Sequence, residues 1–144
     1  MVIDYIKLNG ALKISLNDEI VHQCDNLVVT AGKQWVAGRF KDGSIPAEMS
    51  HMAIGSADTA AAAGNTALAT ELNRIALTTD GGTVSTNTVQ YDASWTSAAA
   101  AYAIKEAGIF NASTGGTMLA RTTFAVINKG TDDTVSISWT ITVS

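Results

Sequence analysis

Few residues in this sequence could perform acid–base, nucleophilic or metal chemistry. His22 and His51 are its two histidines, and Cys24 is its one cysteine. His22 and Cys24 are two residues apart, but a nucleophile–base pair also needs hydrogen-bond contact and an orienting third group. Neither histidine has a metal-ligand spacing to another histidine, cysteine or carboxylate. We interpret all three as ordinary strand or loop residues, and the sequence predicts no catalytic residue, no metal site and no cofactor.

The carboxylates are also more typical of structure than of catalysis. Asp132 and Asp133 lie in the predicted turn "NKGTDDT", where aspartate side chains bond to the local backbone; a metal site is the alternative. Glu106 interrupts the apolar stretch "YAIKEAGIFN", and we expect a structural partner for it, either Arg121 or a neighbour of Lys105 across the sheet. The stretch "GNTALATEL" lacks the second glycine and the lysine of a phosphate loop. The sequence therefore predicts a protein that is not an enzyme and has no small-molecule substrate.

The composition indicates one domain with a core and an unusually neutral surface. The chain has 144 residues, of which 47% are apolar and only 15% charged, against roughly 25% charged residues in ordinary domains. With a net charge of −4 and no run of lysine or arginine, a nucleic-acid partner is not expected. We find no signal peptide and no apolar run near the ~20 residues of a membrane span, so we expect synthesis in the cytoplasm and no membrane association. Such a surface either packs against other protein surfaces or belongs to a soluble β-domain that tolerates neutrality.

The last stretch, "TVSISWTITVS", alternates more cleanly than any other part of the chain. Period-two alternation is typical of a half-buried β-strand. One predicted face is apolar, with Val135, Ile137, Trp139, Ile141 and Val143. The opposite face is a row of hydroxyls without charge: Thr134, Ser136, Ser138, Thr140, Thr142 and Ser144. This row lies either against another protein or in solvent.

The first half of the chain shows mixed patterns. The stretches "VIDYIKL" and "ALKISLN" predict two strands joined by a hairpin turn at Asn9–Gly10. A helix is predicted within Asn26–Phe40, and a short strand in "AEMSHMAIGS". Leu68, Leu72 and Ile75 have helical spacing and predict a second helix, on which Glu71 and Arg74 would form a surface pair.

The second half predicts four strands joined by glycine- and aspartate-rich turns, in "TNTVQYDASWT", "YAIKEAGIFN", "TMLARTTFAVI" and the closing stretch, with a break at Gly108. The tryptophans at 35, 95 and 139 occupy apolar-face positions and are predicted to lie in the core. The fold class is therefore mainly β: an antiparallel β-sandwich, or a jelly-roll-like variant, with one or two short helices. Residues 26–144 would form this domain, and residues 1–25 would supply N-terminal strands or an arm.

Two stretches also resemble a known family. They are "AIGSADTAAAAGNTALATELNRIALTT", from Ala53 to Thr79, and "AIKEAGIFNASTGGTMLARTTFAVINKGTDDTVSISWTITVS", from Ala103 to the end. Together with "NLVVTAGKQWVAG", their order resembles small structural proteins of tailed-bacteriophage virions. This family implies a building block without catalytic residues. It occurs as head decoration (cement) proteins and as modules of tail-fibre or baseplate proteins.

The resemblance implies a decoration protein on the outer capsid surface, with the major capsid protein as partner and a homo-dimer or homo-trimer as oligomer. A receptor-binding module of a tail fibre or baseplate is the alternative. We expect the N-terminal stretch to add a strand to a neighbour or to lie along the shell. The candidate interface residues are Val2, Ile3, Tyr5 and Ile6 in this stretch, and Thr134, Ser136, Ser138, Thr140 and Thr142 in the hydroxyl row.

Overall fold

The computed structural model describes residues 4–41 and 46–144, and it is a β-sandwich of two antiparallel five-stranded sheets. Sheet A has the order β2 (Glu19–Asp25), β1 (Leu8–Leu16), β10 (Val135–Val143), β7 (Thr88–Trp95), β6 (Thr83–Ser85). Sheet B has the order β3 (Leu27–Val28), β9 (Met118–Lys129), β8 (Tyr102–Phe110), β4 (His51–Gly55), β5 (Glu71–Ala76). One helix, α1 (Thr30–Arg39), lies within the described residues. The predicted sandwich is confirmed, whereas a jelly-roll path for the chain stays a prediction.

The first hairpin turn lies at a different place from the predicted one. The prediction of a turn at Asn9–Gly10 is wrong, because both residues lie inside β1 and pair with Thr142 and Ile141 of β10. The turn between β1 and β2 is at Asn17–Asp18, which adopt φ values of 52° and 67°. A side chain at position 10 would overlap the amide group of Asn26, so this glycine permits a close contact instead of a turn. Residues 8–25 thus supply β1 and β2 of sheet A.

The four strands predicted in the second half are confirmed as β7 to β10. In β10 the apolar face is buried at Val135, Ile137, Trp139 and Ile141, which are at most 3% exposed. The expectation for Val143 is wrong, because it is 41% exposed at the end of the strand. The predicted break at Gly108 is also wrong, since β8 continues through it and pairs with β4 and β9 on its two sides.

The helical predictions hold for one of the two segments. α1 covers the predicted Asn26–Phe40 helix from Thr30 to Arg39, but Leu27–Val28 before it is extended and pairs with β9. The second helix is wrong, because Glu71–Ala76 is strand β5 and pairs with β4. Leu72 is 39% exposed on this edge strand. Leu68, Leu72 and Ile75 therefore do not form one buried face, as a helix would require. Pairing with β4 satisfies the backbone, and such tertiary context outweighs a weak local pattern.

The two sheets enclose the main core, and each has a second face with a different environment. Trp95 and Trp139 are buried between the sheets as predicted, while Trp35 on α1 is only half-buried and packs at the edge of the core. On the far face of sheet B, Ala53, Phe110 and Met118 form a second apolar cluster with Val29, Ala31 and Leu68. Helix α1 and the loop between β4 and β5 therefore cover sheet B. The outer face of sheet A has no such cover among the described residues.

Candidate interaction surface

The uncovered face of sheet A contains the hydroxyl row of β10 between polar residues of β1 and β7. The strand register places Ser138 between Lys13 and Asp92, Ser136 between Ser15 and Ser94, and Thr140 between Ala11 and Gln90. We call this surface the hydroxyl face and define it by its ten residues: Ala11, Lys13, Ser15, Gln90, Asp92, Ser94, Ser136, Ser138, Thr140 and Thr142. The four β10 residues of this set are partly exposed.

Several side chains on the hydroxyl face are hydrogen-bonded to one another, some across strands and some along β7. The hydroxyls of Ser94 and Ser136 are 2.8 Å apart. The Ser138 hydroxyl donates to Asp92 Oδ1 at 2.7 Å, and Gln90 Nε2 lies 3.1 Å from both oxygens of the same carboxylate. These bonds restrict the rotamers of the side chains before any partner arrives, so less conformational entropy is lost on docking.

Two shallow grooves lie on the hydroxyl face. The larger has a volume of about 440 Å³ and lies over β2, β1, β10 and β7, with Gln23 and Asp25 at its β2 side. The smaller has a volume of about 210 Å³ and extends toward Ile20 and Ser94. Both are lined by Lys13 and Ser138. The hydroxyl face therefore has two adjacent grooves lined by hydrogen-bonding groups, with Lys13 and Asp92 on either side of Ser138.

Of the four N-terminal candidate residues, Tyr5 and Ile6 lie within the described part of the chain, near one end of this face. Val2 and Ile3 fall outside the described residues. Tyr5 and Ile6 precede β1 and are 76% and 66% exposed. The backbone of Lys7 pairs with that of Ser144 through bonds of 2.6 and 2.9 Å, which extends the pairing of β1 with β10. Tyr5 and Ile6 therefore lie near the Thr142 end of the row.

Thr134 lies at the opposite end, in the turn before β10. Its amide donates to Asn17 Oδ1 at 2.9 Å, and its carbonyl accepts from the Asn17 amide at 2.9 Å. Asn17 Nδ2 also donates to Asp133 Oδ1 at 2.8 Å, and the Gly130 amide donates to Asp133 Oδ2 at 2.7 Å. The hydrogen bond from Asn17, and to a smaller extent the one from the Gly130 amide, lower the pKa of Asp133. The predicted turn role is confirmed for Asp133, and Thr134 has a local structural role in addition to its candidate interface role.

The histidines and the cysteine have structural surroundings. The Cys24 thiol lies 3.7 Å from Thr122 Oγ1, the His22 ring lies 5.6 Å from the Phe124 ring, and Ser50 Oγ lies 2.7 Å from His51 Nδ1. Burial raises the pKa of the Cys24 thiol, whereas a nucleophilic cysteine needs a lowered pKa. Within residues 4–41 and 46–144, no group of three or more histidine, cysteine, aspartate or glutamate side chains could hold a metal ion.

The predicted structural partner of Glu106 is confirmed as Arg121. Both side chains are buried, and Arg121 donates to Glu106 Oε2 from Nε at 3.1 Å and from a terminal nitrogen at 2.9 Å. Glu71 and Arg74 also pair, at 2.7 Å, but on strand β5 instead of a helix. The sequence does not predict that Lys13, Gln90 and Asp92 lie beside the hydroxyl row. Alternation assigns them to outer faces, but only the strand register shows that they flank the hydroxyl row.

Comparison of the chain with protein-family models, curated proteins and solved structures finds no match in any of the three. In the described part of the chain, no helix is long and apolar enough to cross a membrane.

Proposed function

We propose that this protein is a head decoration protein of a tailed bacteriophage, which binds the outer capsid surface through its hydroxyl face. The observation that carries this proposal is the asymmetry of the sandwich. Sheet B is covered by helix and loop, while sheet A exposes a face of serine and threonine hydroxyls with Lys13 and Asp92 as its two charged residues. A protein that stabilises a shell needs such a docking face and no catalytic centre.

The chemistry of this face suits contact with another protein surface. Buried ions carry a large desolvation penalty, whereas hydroxyls both donate and accept and lose less when they leave water. Ser136 and Ser138 already have partners in Ser94 and Asp92, so burial would not leave these hydroxyls unpaired. Lys13 and Asp92 would fix the orientation of the partner, since complementary charges set specificity more than affinity.

The virion context comes from the sequence resemblance. In that context the partner is the major capsid protein, and many weak contacts per shell would add up to a large stabilisation. A symmetric dimer or trimer of this chain would multiply those contacts further. The competing function, a tail-fibre or baseplate receptor-binding module, predicts binding to a host cell surface instead.

The test is binding to expanded phage capsids that lack the protein, measured by co-sedimentation and by thermal melting of the shell. We expect saturable binding and a raised melting temperature with the wild-type chain. Thr140→Arg places a bulky charge in the hydroxyl face and should weaken binding at least tenfold. Thr114→Arg makes the same change at an exposed residue outside this face, between β8 and β9, and should bind like the wild type.

Two results would overturn the proposal. Equal capsid binding by Thr140→Arg and Thr114→Arg would exclude the hydroxyl face as the contact. Binding to host cells without any binding to capsids would exclude the decoration function and favour the receptor-binding module. Thermal unfolding of each isolated variant, expected to match the wild type, ensures that lost binding does not reflect lost folding.

A further inference from the structure

We propose that a second surface, separate from the hydroxyl face, binds a partner segment whose apolar side chains are flanked by carboxylates. This surface, the basic groove, has a volume of about 460 Å³ between the start of β1 and helix α1. We define it by its lining residues: Ile6, Lys7, Leu8, Asn9, Lys33, Val36, Ala37 and Phe40. The proposal goes beyond the decoration function and does not depend on it.

The floor of the basic groove is apolar and is held by regular structure. Leu8 on β1 and Val36 on α1 are partly buried against the main core, so the base of the groove is fixed. Ile6 and Phe40 are 66% and 76% exposed at its sides. Burial of an exposed apolar side chain against a partner is favourable because it removes apolar surface from water. A partner that inserts apolar side chains here would therefore gain substantial free energy.

The rim of the basic groove is positive, although the chain as a whole has a net charge of −4. Lys7 and Lys33 line the groove, and Lys41 follows Phe40 in the chain. These are three of the four exposed lysines in the described part of the chain; the fourth, Lys13, lies on the hydroxyl face. None of the described lining residues is acidic.

The other described cations are engaged elsewhere. Arg121 is buried with Glu106, Arg74 pairs with Glu71, and Lys105 lies 3.6 Å from Asp58. Lys129 is buried, and its ammonium donates to backbone carbonyls, including that of Gly130 at 3.0 Å. Arg39 donates to the Pro46 carbonyl at 2.8 Å. Among the described residues, exposed positive charge is therefore concentrated at the basic groove.

This combination selects among possible occupants. A two-fold contact between two copies through the groove would bring Lys7, Lys33 and Lys41 of each copy toward the same cations of the other, and like charges oppose such a contact. A lipid surface could attract the lysines, but a bilayer is flat on this scale and would not fill a groove. A peptide segment with apolar residues for the floor and aspartate or glutamate for the rim satisfies both features.

The experiment selects peptides from a displayed random peptide library on the intact protein, without assuming a sequence. We expect the selected peptides to share aliphatic or aromatic residues flanked by aspartate or glutamate. Affinity of a selected peptide is then measured by fluorescence anisotropy. The double variant Lys7→Glu with Lys33→Glu and the single variant Phe40→Ser should each weaken binding at least tenfold, and raised salt should weaken wild-type binding.

Matched controls change charge or apolar surface elsewhere. Lys105→Glu reverses a charge outside the groove, and Val84→Ser removes an apolar side chain that is 73% exposed on β6. Both should bind the selected peptide within twofold of the wild type. Thermal unfolding of every variant is measured in parallel, and Lys7→Gln with Lys33→Gln replaces the double variant if charge reversal impairs folding.

Several results would overturn the proposal. Selected peptides without acidic residues, or a selected peptide that binds Lys7→Glu with Lys33→Glu as tightly as the wild type, would exclude recognition by the lysines. Binding to vesicles of phosphatidylglycerol and phosphatidylcholine without any peptide selection would identify a lipid surface instead. Self-association that Phe40→Ser abolishes, again without peptide selection, would identify a second copy as the occupant.

Discussion

Glu106 is the residue that connects the sandwich to its longest irregular segment. Its buried carboxylate accepts hydrogen bonds from the amides of Thr70 at 2.7 Å and Ala69 at 3.0 Å, besides those from Arg121. Arg121 in turn donates to Asn65 Oδ1 at 3.1 Å and to the Thr59 carbonyl at 2.9 Å. The Glu106–Arg121 ion pair thus holds the loop between β4 and β5 against sheet B, with Arg121 binding its middle and Glu106 binding its end.

Glu106→Gln should therefore destabilise the protein strongly, by about 3–5 kcal/mol, because it leaves the buried Arg121 charge uncompensated. The measurement is urea unfolding. Asp58→Asn is the matched control, since Asp58 pairs with Lys105 at the surface, and its loss should cost at most about 1 kcal/mol. Equal stabilities for the two variants would show that the buried pair does not hold the loop.

Tyr91 gives a prediction about alkaline pH. Burial between the sheets, opposed by Arg39 and reinforced by Glu48, raises the pKa of Tyr91 from 10.0 to about 12. A raised pKa means that the folded state holds the phenol proton more tightly, so this stabilisation is complete below pH 10 and is lost as the pH rises through 12. Two pKa units correspond to roughly 2–3 kcal/mol.

In Tyr91→Phe the ring remains but no proton can be lost. We expect the wild type to lose stability relative to Tyr91→Phe between pH 10 and pH 12, and the difference to stay constant below pH 10. Denaturant unfolding of both proteins across this pH range measures the difference. A difference that does not change with pH would mean that Tyr91 ionises as easily in the folded state as in the unfolded one.

At the scale of elements, the strands that alternate cleanly are those that the sequence predicts correctly. β10 and β7 each have one face in the core and one outside, so the period of two appears in the residues themselves. The residues of β5 predict a helix instead, because β5 is a partly exposed edge strand without clean alternation and Leu72 and Ile75 match helical spacing. Two predictions based on glycine are also wrong. Gly10 lies in β1 and permits a close contact with Asn26 instead of forming a turn, and Gly108 is paired within β8 instead of breaking it.

Helix α1 depends on one of these close approaches. A side chain at position 32 would overlap the carbonyl oxygen of Leu119 on β9, so Gly32 lets the helix lie directly on sheet B. Gly32→Ala should destabilise the protein by about 1–3 kcal/mol, as overpacking does elsewhere. Gly64→Ala is the control, because nothing lies within 4 Å of its added methyl group, and it should be neutral or stabilising by up to about 1 kcal/mol.

Thermal unfolding of the two glycine variants provides the comparison. If Gly32→Ala melts at the same temperature as Gly64→Ala, the helix does not rest on β9 in solution. A lower melting temperature for Gly32→Ala alone supports the packing. Weaker binding of a selected peptide to this variant would in addition connect the position of α1 to the basic groove.

At the scale of the whole molecule, the two proposed surfaces depend on contacts that no local pattern contains. The hydroxyl row was predictable from alternation, but Lys13 and Asp92 join it only through pairing between strands that are distant in sequence. The basic groove likewise combines the start of β1 with a helix that follows two further strands. Composition indicates a neutral surface and cannot show that its remaining lysines gather in one place.

The pairing of β1 with β10 extends this dependence to folding. Nine residue pairs connect the first strand of sheet A to the last, and β10 lies between β1 and β7 at the centre of the sheet. Deletion of residues 139–144 removes Trp139 and Ile141 from the core and part of the partner of both neighbouring strands. Because each buried side chain of this size contributes about 1.5–3 kcal/mol and small domains have about 5–15 kcal/mol in total, the shortened chain should not unfold cooperatively.

Deletion of residues 1–6 removes only exposed side chains from the described part and should leave the melting temperature nearly unchanged. Circular dichroism melting distinguishes the two, and a cooperative transition in the chain that lacks residues 139–144 would show that β1 and β7 can form a stable sheet without a complete central strand.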